Sequence, residues 1–394
     1  MEKHIDLELK DFACIPPSLA SWLGSSLAKD QMTISIRNLC HHMFLDTYGS
    51  GPADTKPVFD LYAPMLMANT HFRFRNGGLG SHKEAKISEY NKFGKAFCRW
   101  FLYVHCGMTY FAHMDQILNK RLVPGSHGYS IKRKNEDGDT PDYLCGNSAE
   151  ACLAEAKGTQ SSINFTTARF QEWRDQIANI EVTDAYGNLC GVKGYIVATR
   201  MVSDGDSQRV RSKLIAEDPW TDGKRSSSDS STFRNQLISM VIAGHYASIM
   251  DKLRQPLLAT ALRSAIVLPE DVLINVGVWE CLVPPLNRFK FVGGYFNLSD
   301  VASEFDHIFG WLFSTSSLHT FPQVNLSLGT ATFFGLELGT FLAVREITRR
   351  GREAANIVNE VSIEDTIPDP LSFLRDGSVV APLDYFRLIE VRPL

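Results

Sequence analysis

The chain has 394 residues, of which 44% are hydrophobic and 21% charged, a composition typical of a globular protein with a sizeable core. The formal net charge of −4 provides no overall attraction to nucleic acid, so a nucleic-acid partner would require a local basic surface. The eight cysteines form no C-x-x-C pair, which excludes the common zinc-finger spacings. Together with a polar N-terminus that does not resemble a signal peptide, they predict a cytoplasmic protein with reduced thiols and no membrane span.

The N-terminal part predicts mainly helix. After an extended lead-in, apolar residues recur at helical spacing in three stretches, at 18–29, 33–48 and 58–67. We therefore expect an N-terminal helical segment over residues 1–80. The basic, glycine-rich stretch at its end, residues 73–80, lacks the G-x-x-x-x-G-K-[ST] pattern and does not indicate a phosphate-binding P-loop.

Between residues 81 and 231 the predicted elements alternate between helix and strand. In chain order we expect a helix at 81–105, strands at 128–134, at Asp142 and at Glu155, a helix at 165–180 and a strand at 194–202. Ser81 and Glu84 have capping-box spacing at the start of the first helix. The polar stretch 203–231 is expected to be a loop.

The stretch 141–159, PDYLCGNSAEACLAEAKGT, contains the residues that best indicate a chemical site. Alternate side chains of a strand share a face, so Glu155 and Lys157 point the same way from an otherwise apolar segment. A buried acid beside a buried ammonium is costly unless the two are paired or bind a charged group. A tight hairpin would place Asp142 beside them, and two carboxylates with a lysine predict an oxygen-ligand site for a divalent cation.

This α-β-β-β-α-β order, with acids on the second and third strands, resembles the core of the PD-(D/E)XK nuclease superfamily. Pro141, Asp142, Glu155 and Lys157 are the motif residues, and the resemblance spans roughly residues 81–202. It implies an α/β fold with a restriction-endonuclease-like mixed sheet in residues 81–231. It also implies metal-dependent hydrolysis of phosphodiester bonds, with DNA as the expected substrate and defence against foreign DNA as the expected role.

The resemblance also implies roles for individual residues. Asp142, Glu155 and the backbone carbonyl of Ala156 would bind Mg²⁺ or Mn²⁺, and Lys157 would orient a water molecule or hold the scissile phosphate.

Other residues are secondary candidates for the same site. The helix at 81–105 would supply a further acid, for which Glu89 and Glu84 are the candidates by position. The helix at 165–180 would supply a polar residue, with Gln171 as the first choice and Gln176 as the second. A basic cluster before the motif is the candidate for contacting nucleic acid and consists of Lys132, Arg133 and Lys134.

The C-terminal part, residues 232–394, predicts an α/β segment that completes the core or mediates assembly. In chain order we expect a helix at 232–262 interrupted at Pro256, a hairpin of strands at 272–283 and 289–296, and helices at 301–313 and 335–361. The last helix carries four arginines, which form either a solvated face or a contact to phosphates: Arg345, Arg349, Arg350 and Arg352.

Two other interpretations remain open. Glu155 and Lys157 would form a structural ion pair if their strand lay at an exposed edge, although the apolar residues 151–154 favour an inner strand. Alternatively, the chain is a non-catalytic interaction or sensor subunit built on a nuclease-like fold. The acidic net charge and the large part of the chain outside the motif favour that alternative, in which the partner is another protein or a second copy of the chain.

Overall fold

The structure is a computed structural model that describes residues 1–22, 24–47, 63–119, 130–184, 186–219, 231–296, 332–362 and 366–394. The chain divides into two compact units. The first comprises residues 1–46 and 62–245, and the second comprises residues 47–61 and 246–394. Each unit has a large sheet of its own.

The described residues of the first unit form eleven strands, of which seven belong to one mixed sheet. The strands are Glu2–Lys10 (β1), Ala20–Ser21 (β2), Gly24–Ala28 (β3), Gln31–Ser35 (β4), Tyr110–His113 (β5), Ser130–Arg133 (β6), Tyr143–Gly146 (β7), Ala151–Thr159 (β8), Ile180–Thr183 (β9), Lys193–Arg200 (β10) and Lys213–Glu217 (β11). The strand order in the large sheet is β4-β1-β11-β10-β8-β7-β5. Strands β1 and β11, and strands β8 and β10, pair in parallel, and the other neighbours pair antiparallel.

The central strands β8, β10 and β11 are almost wholly buried along their length. Their sequences are near-continuous apolar runs, which is the pattern expected when both faces of a sheet are covered. The remaining strands of this unit form two small sheets, in which β2 pairs with β3 and β6 pairs with β9.

Among the residues described before 220, four α-helices are present: Ile36–Thr47 (α1), Lys83–His105 (α2), Met114–Leu118 (α3) and Ala168–Ala178 (α4). Helix α2 buries an aromatic stripe at helical spacing that includes Tyr90, Phe93 and Phe97. Its N-cap is His82, whose ring accepts a hydrogen bond from the Ala85 amide at 3.4 Å. The capping box expected at Ser81 is therefore replaced by a histidine cap one residue later.

Helix α2 packs on strand β8 through two glycines. A Cβ atom on Gly94 would lie 2.2 Å from the Gly158 amide nitrogen, and a Cβ atom on Gly158 would lie 1.7 Å from the Tyr90 carbonyl oxygen. No side chain fits at either position, so the helix and strand backbones are in direct contact. This contact fixes which residues of α2 face the C-terminal half of β8.

The part of the second unit that the structure describes contains a six-stranded antiparallel sheet. Its strands are Asn275–Cys281 (β12), Lys290–Phe296 (β13), Thr332–Glu337 (β14), Ser372–Phe373 (β15), Ser378–Pro382 (β16) and Phe386–Pro393 (β17), in the order β15-β16-β14-β13-β12-β17. Helices Pro256–Ser264 (α6) and Leu338–Arg350 (α7) lie in the same unit, and the division between the units falls within helix Ser231–Lys252 (α5). The core of the sheet is aromatic, with Phe333 and Phe386 stacked at a centroid distance of 3.9 Å.

The α/β class with a large mixed sheet is confirmed, as are the elements nearest the motif. Helix 81–105 appears as α2, helix 165–180 as α4 and strand 194–202 as β10. The helix expected at 232–262 is interrupted before Pro256, where α6 begins. Proline has no N–H for the helical ladder, and it occupies the first turn of the new helix instead.

The N-terminal expectation differs most from the structure. Residues 1–80 do not form a separate helical segment, because β1 and β4 are strands of the large sheet and β1 pairs with β11. Stretch 18–29 contains a short 3-10 helix and the strands β2 and β3 in place of the expected helix. The apolar residues of these segments fit the helical period, but tertiary pairing makes the segments strands.

Three further expectations are corrected. Strand 128–134 corresponds to β6, which pairs with β9 outside the large sheet, so that β5 is the strand next to β7. The polar stretch 203–231 contains β11, an inner strand whose apolar core is only Leu214, Ile215 and Ala216. Helix 335–361 is divided into β14, α7 and a 3-10 helix at Arg352–Ile357. The helix expected at 301–313, and residues 220–230 of the loop expected at 203–231, lie outside the described residues.

Within the described ranges, no helix combines the length and apolar character needed to cross a membrane.

The glycine contact between α2 and β8 generates a stability prediction. Gly158→Ala should lower the free energy of unfolding by about 1–3 kcal/mol, because the new methyl group overlaps the Tyr90 carbonyl and forces the helix away. Urea unfolding measures the change. Gly24→Ala is the control, since nothing lies within 4 Å of a Cβ atom there. Equal stability of the two variants would show that α2 is not held against β8 in this way.

Candidate active site

The candidate site is built on the antiparallel hairpin of β7 and β8. Asn147 closes the hairpin, since its side-chain oxygen accepts hydrogen bonds from the amides of Ala149 at 2.8 Å and Glu150 at 2.9 Å. Strand β8 lies between β7 and β10. The motif is therefore on an inner strand, and the interpretation that placed it on an exposed edge strand is wrong.

The hairpin register brings Asp142 opposite Glu155. Tyr143 pairs with Ala154 in this antiparallel hairpin. One residue further from the turn, Asp142 therefore lies opposite Glu155. The Asp142 amide donates to Glu155 Oε2 at 3.2 Å, and the Ala156 amide donates to Asp142 Oδ2 at 3.0 Å. The first bond joins the two acids predicted to act together, and the second joins Asp142 to the residue that follows Glu155.

Glu155 is completely buried, with a relative exposure of 0%. Burial, followed by repulsion from Asp142, raises the pKa of Glu155 from 4.5 to about 8. The ion pair with Lys157 and the hydrogen bond from the Asp142 amide act in the opposite direction but do not outweigh these effects. The site therefore holds a carboxyl group that changes its protonation state near neutral pH.

Each acid of the site has its own ammonium group. Lys157 Nζ pairs with Glu155 Oε1, and Lys95 Nζ lies 3.1 Å from Asp142 Oδ1. Lys95 belongs to α2 and follows Gly94, the residue in contact with β8. Burial lowers the pKa of Lys95, but attraction from Asp142, Asp46 and Glu155 raises it above its ordinary value. Lys95 was not among the sequence candidates.

Gln176 of α4, and not Gln171, reaches Glu155. We orient the Gln176 amide with its nitrogen toward the carboxylate, because it then donates to Glu155 Oε2 at 3.1 Å and also to Oε1. Gln171 is exposed, donates to Asp175 at 2.9 Å and accepts from Arg174 at 3.1 Å. The order of preference between these two candidates was therefore wrong, since Gln176 lies on the face of α4 that is turned toward the site.

A second group of residues lies next to Lys95 and is centred on the nearly buried Asp46 of α1. The Asp46 carboxylate accepts a hydrogen bond from the Tyr143 hydroxyl and lies 3.4 Å from His113 Nε2 and 3.8 Å from Arg99 Nη1. Burial raises the pKa of Asp46, but His113, Arg99, Lys95 and the Tyr143 hydroxyl together hold it below its ordinary value. Burial also lowers the pKa of His113, although Asp46 acts against it.

A sequence signal for part of this group exists in α2. Lys95 and Arg99 are four residues apart on a helix whose other residues from 93 to 103 are buried. Charged residues at i and i+4 within an apolar helix share one face and therefore indicate a common acidic partner. Asp46 and His113 come from segments without such a pattern and could be found only in the folded chain.

The remaining candidates have partners of their own. Glu89 pairs with Lys92 at 2.6 Å, and Glu84 lies 3.3 Å from the ring of His82. Lys132 and Arg133 are exposed on β6, where Lys132 pairs with Glu181 at 2.8 Å and Arg133 donates to the Glu136 carbonyl at 3.1 Å; Lys134 follows them and is exposed too.

The arginines near the end of α7 mostly bind within the second unit. Arg349 donates to the Glu270 carbonyl at 2.8 Å, and the buried Arg352 donates to the Leu262 carbonyl at 2.8 Å. Arg350 pairs with Glu346 on the helix surface. These contacts favour a structural role over phosphate binding for Arg349 and Arg352.

Comparison of the chain with family models, curated proteins and solved structures gives no match.

The raised pKa of Glu155 predicts how stability depends on pH. The folded protein retains this proton up to about pH 8, whereas the unfolded chain loses it near 4.5, so unfolding releases a proton between these values. The free energy of unfolding should therefore fall as the pH rises through this window, by an amount on the order of a few kcal/mol, and level off above it.

Urea unfolding at a series of pH values measures this effect. Glu155→Gln removes the ionisation and keeps the shape, so this variant should lack the decline and should be the more stable protein above pH 8. Parallel pH profiles for the two proteins would contradict the assignment of the raised pKa to Glu155.

The two glutamines of α4 provide a matched pair for a further test. Gln176→Ala removes a donor to a buried carboxylate and should cost about 1–2 kcal/mol of unfolding free energy. Gln171→Ala changes an exposed residue on the same helix and should stay within about 0.5 kcal/mol of the parent protein. A larger loss for the Gln171 variant would reverse the assignment.

Proposed function

We propose that this chain is a metal-dependent nuclease that hydrolyses phosphodiester bonds, with DNA as its substrate. The observation that carries the proposal is the convergence of Asp142, Glu155 and Lys157 at one end of the β7–β8 hairpin. A buried carboxyl, a second acid opposite it and a lysine on the same face are the residue types that this chemistry requires.

The arrangement of elements around the hairpin supports the same proposal. In chain order, α2, β5, β7, β8, α4 and β10 follow the α-β-β-β-α-β pattern of the PD-(D/E)XK superfamily, with β5 in the place expected for strand 128–134. The strands β5, β7, β8 and β10 are neighbours in that order, the first three antiparallel and the last parallel to β8. A restriction-endonuclease-like core is therefore part of the proposal.

The donor set fits Mg²⁺ or Mn²⁺. Asp142 and Glu155 supply carboxylate oxygens, which these hard cations prefer. The Ala156 amide points toward Asp142, and the N–H and C=O of one strand residue point to the same side, so its carbonyl faces the acids as well. Across the described ranges no group of three or more His, Cys, Asp or Glu side chains could hold a metal ion. Mg²⁺ keeps several of its water ligands, so two carboxylates are enough for it.

The roles of the protein residues follow from their surroundings. A cation bound at this site would neutralise charge on the phosphate and lower the pKa of a water molecule. Lys157 has a side chain that is 26% exposed, so its ammonium can reach a substrate phosphate or a water while its stem packs on the strand. Gln176 holds the Glu155 carboxylate in its orientation, and the Asp142 amide holds its other side.

A cleavage assay tests the proposal. Plasmid, linear double-stranded and single-stranded DNA, together with RNA, are incubated with the protein in Mg²⁺ or Mn²⁺, and with a chelator as the negative control. Asp142→Asn, Glu155→Gln and Lys157→Met should each reduce metal-dependent cleavage by about a hundredfold or more while the fold is retained, because each removes a group that acts on the water or the phosphate.

Lys213→Met is the matched control, since Lys213 is also a lysine on an inner strand of the same sheet that pairs with a glutamate, Glu8. It should cleave like the parent protein. Undiminished cleavage by the Asp142 and Lys157 variants would show that the catalytic site has been assigned to the wrong residues. An inactive but well-folded parent protein on all four substrates would favour the alternative of a non-catalytic subunit.

A further inference from the structure

Lys95 is held at the acidic pair by the packing of the helix that carries it. Its neighbour Gly94 is in backbone contact with Gly158, the residue after Lys157. The side chain of Lys95 is 34% exposed and reaches Asp142 Oδ1 at 3.1 Å. A lysine with a flexible stem and a partly exposed ammonium can exchange partners without movement of the helix.

When both acids are ionised, the charges at the site are balanced before any cation binds. Asp142 and Glu155 face Lys95 and Lys157, one ammonium to each carboxyl. Asp46 has partners of its own in Arg99, His113 and Tyr143. A divalent cation bound to the two acids would add two positive charges beside two ammonium groups in a partly buried setting, where repulsion is strong. An anion that binds the displaced ammonium groups would relieve this repulsion.

We infer that Lys95 is a substrate-binding residue that couples the two ligands of the site: it neutralises Asp142 when no cation is bound, and it holds a phosphate oxygen of nucleic acid when a cation replaces it there. This inference rests on the proposed function. It predicts that cation and nucleic acid each strengthen the binding of the other, because each relieves the repulsion that the other creates.

Lys95 is better suited to this exchange than its neighbours. Arg99 lies one turn further along α2 but is buried, with its side chain 3% exposed beside Asp46 and its guanidinium over the ring of Phe111. Lys157 is attached to the strand that carries Glu155 and already belongs to the proposed catalytic set. Lys95 differs from Arg99 in being partly exposed, and from Lys157 in being on a different element from both acids.

The test measures binding, without turnover, for Lys95→Met, which keeps the length of the stem and removes the charge. Calorimetry gives the affinity for Mn²⁺ in the absence of nucleic acid. Fluorescence anisotropy gives the affinity for short duplex DNA, single-stranded DNA and RNA, first in chelator and then in Ca²⁺, which takes the same kind of oxygen ligands. The ratio of the two nucleic-acid affinities is the coupling factor.

The parent protein should bind at least one of these nucleic acids more tightly with Ca²⁺ than without it, by a factor of about 5 or more. Lys95→Met should bind Mn²⁺ alone about 5-fold more tightly, because the competing ammonium is gone from Asp142, and its coupling factor should fall toward 1. Lys95→Arg keeps the charge and should restore most of the coupling. A merely structural role for Lys95 would not produce tighter Mn²⁺ binding with weaker coupling.

Lys92→Met is the matched control. Lys92 lies on the same helix, has a side chain that is 37% exposed and pairs with Glu89 at 2.6 Å, so its loss should change neither quantity. If Lys95→Met and Lys92→Met give the parent's Mn²⁺ affinity and coupling factor, the inference is overturned while the nuclease assignment stands. If the parent protein binds no Mn²⁺ and cleaves no substrate, the proposed function and this inference fail together. Thermal unfolding confirms that each variant is folded, and Lys95→Gln replaces Lys95→Met if the latter is not.

Discussion

The burial of the Glu155 carboxyl is the constraint on which the rest of the site depends. A charged carboxylate with no exposure to water costs several kcal/mol unless hydrogen bonds and an opposite charge compensate for it. Three donors surround it, and they come from three places in the chain: Lys157 on the same strand, the Asp142 amide on the neighbouring strand and Gln176 on α4. The hairpin register, the length of the turn at Asn147 and the docking of α4 must all be correct for these donors to meet.

The glycine contact between α2 and β8 is the second constraint, because it determines where the cations of α2 lie relative to Asp142 and Asp46. A side chain at Gly94 or Gly158 would separate the helix from the strand by more than an ångström. At the present spacing, the turn of α2 that follows Gly94 places Lys95 at Asp142 and Arg99 at Asp46. The two glycines thus allow the close packing of α2 on β8 that brings Lys95 and Arg99 to the acidic residues.

The parts of the fold that could be predicted are those in which local pattern and tertiary environment agree. The alternation in β8, the helical period of α2 and α4 and the spacing between Asp142 and Glu155 all reflect the final structure. Strand β11 could not be recognised, because its short apolar run lies inside a polar stretch and becomes an inner strand only by pairing with β1 and β10. The spacing of Lys95 and Arg99 indicates a shared acidic partner, but Asp46 and His113 come from two other elements, and no pattern in the sequence predicts that they meet Lys95.

A second buried glutamate in the same sheet shows what a structural ion pair looks like in this protein. The pairing of β8, β10 and β11 aligns Glu155 with Ile196 and Ile196 with Glu217, so both glutamates point to the face that α4 covers. Glu217 is bound by two cations, with Arg174 at 2.8 and 2.9 Å and Lys10 at 2.6 Å.

The residues of α4 that face the two glutamates differ in charge. Arg174 neutralises Glu217, whereas Gln176, two residues later, offers Glu155 a hydrogen bond without a charge. Glu155 is left with a single ammonium and a pKa of about 8. An arginine on this helix demonstrably satisfies a buried glutamate, so stability alone would favour the same solution at Glu155. The protein offers Glu155 one ammonium and a neutral donor, and this is the arrangement that the proposed cation site would require.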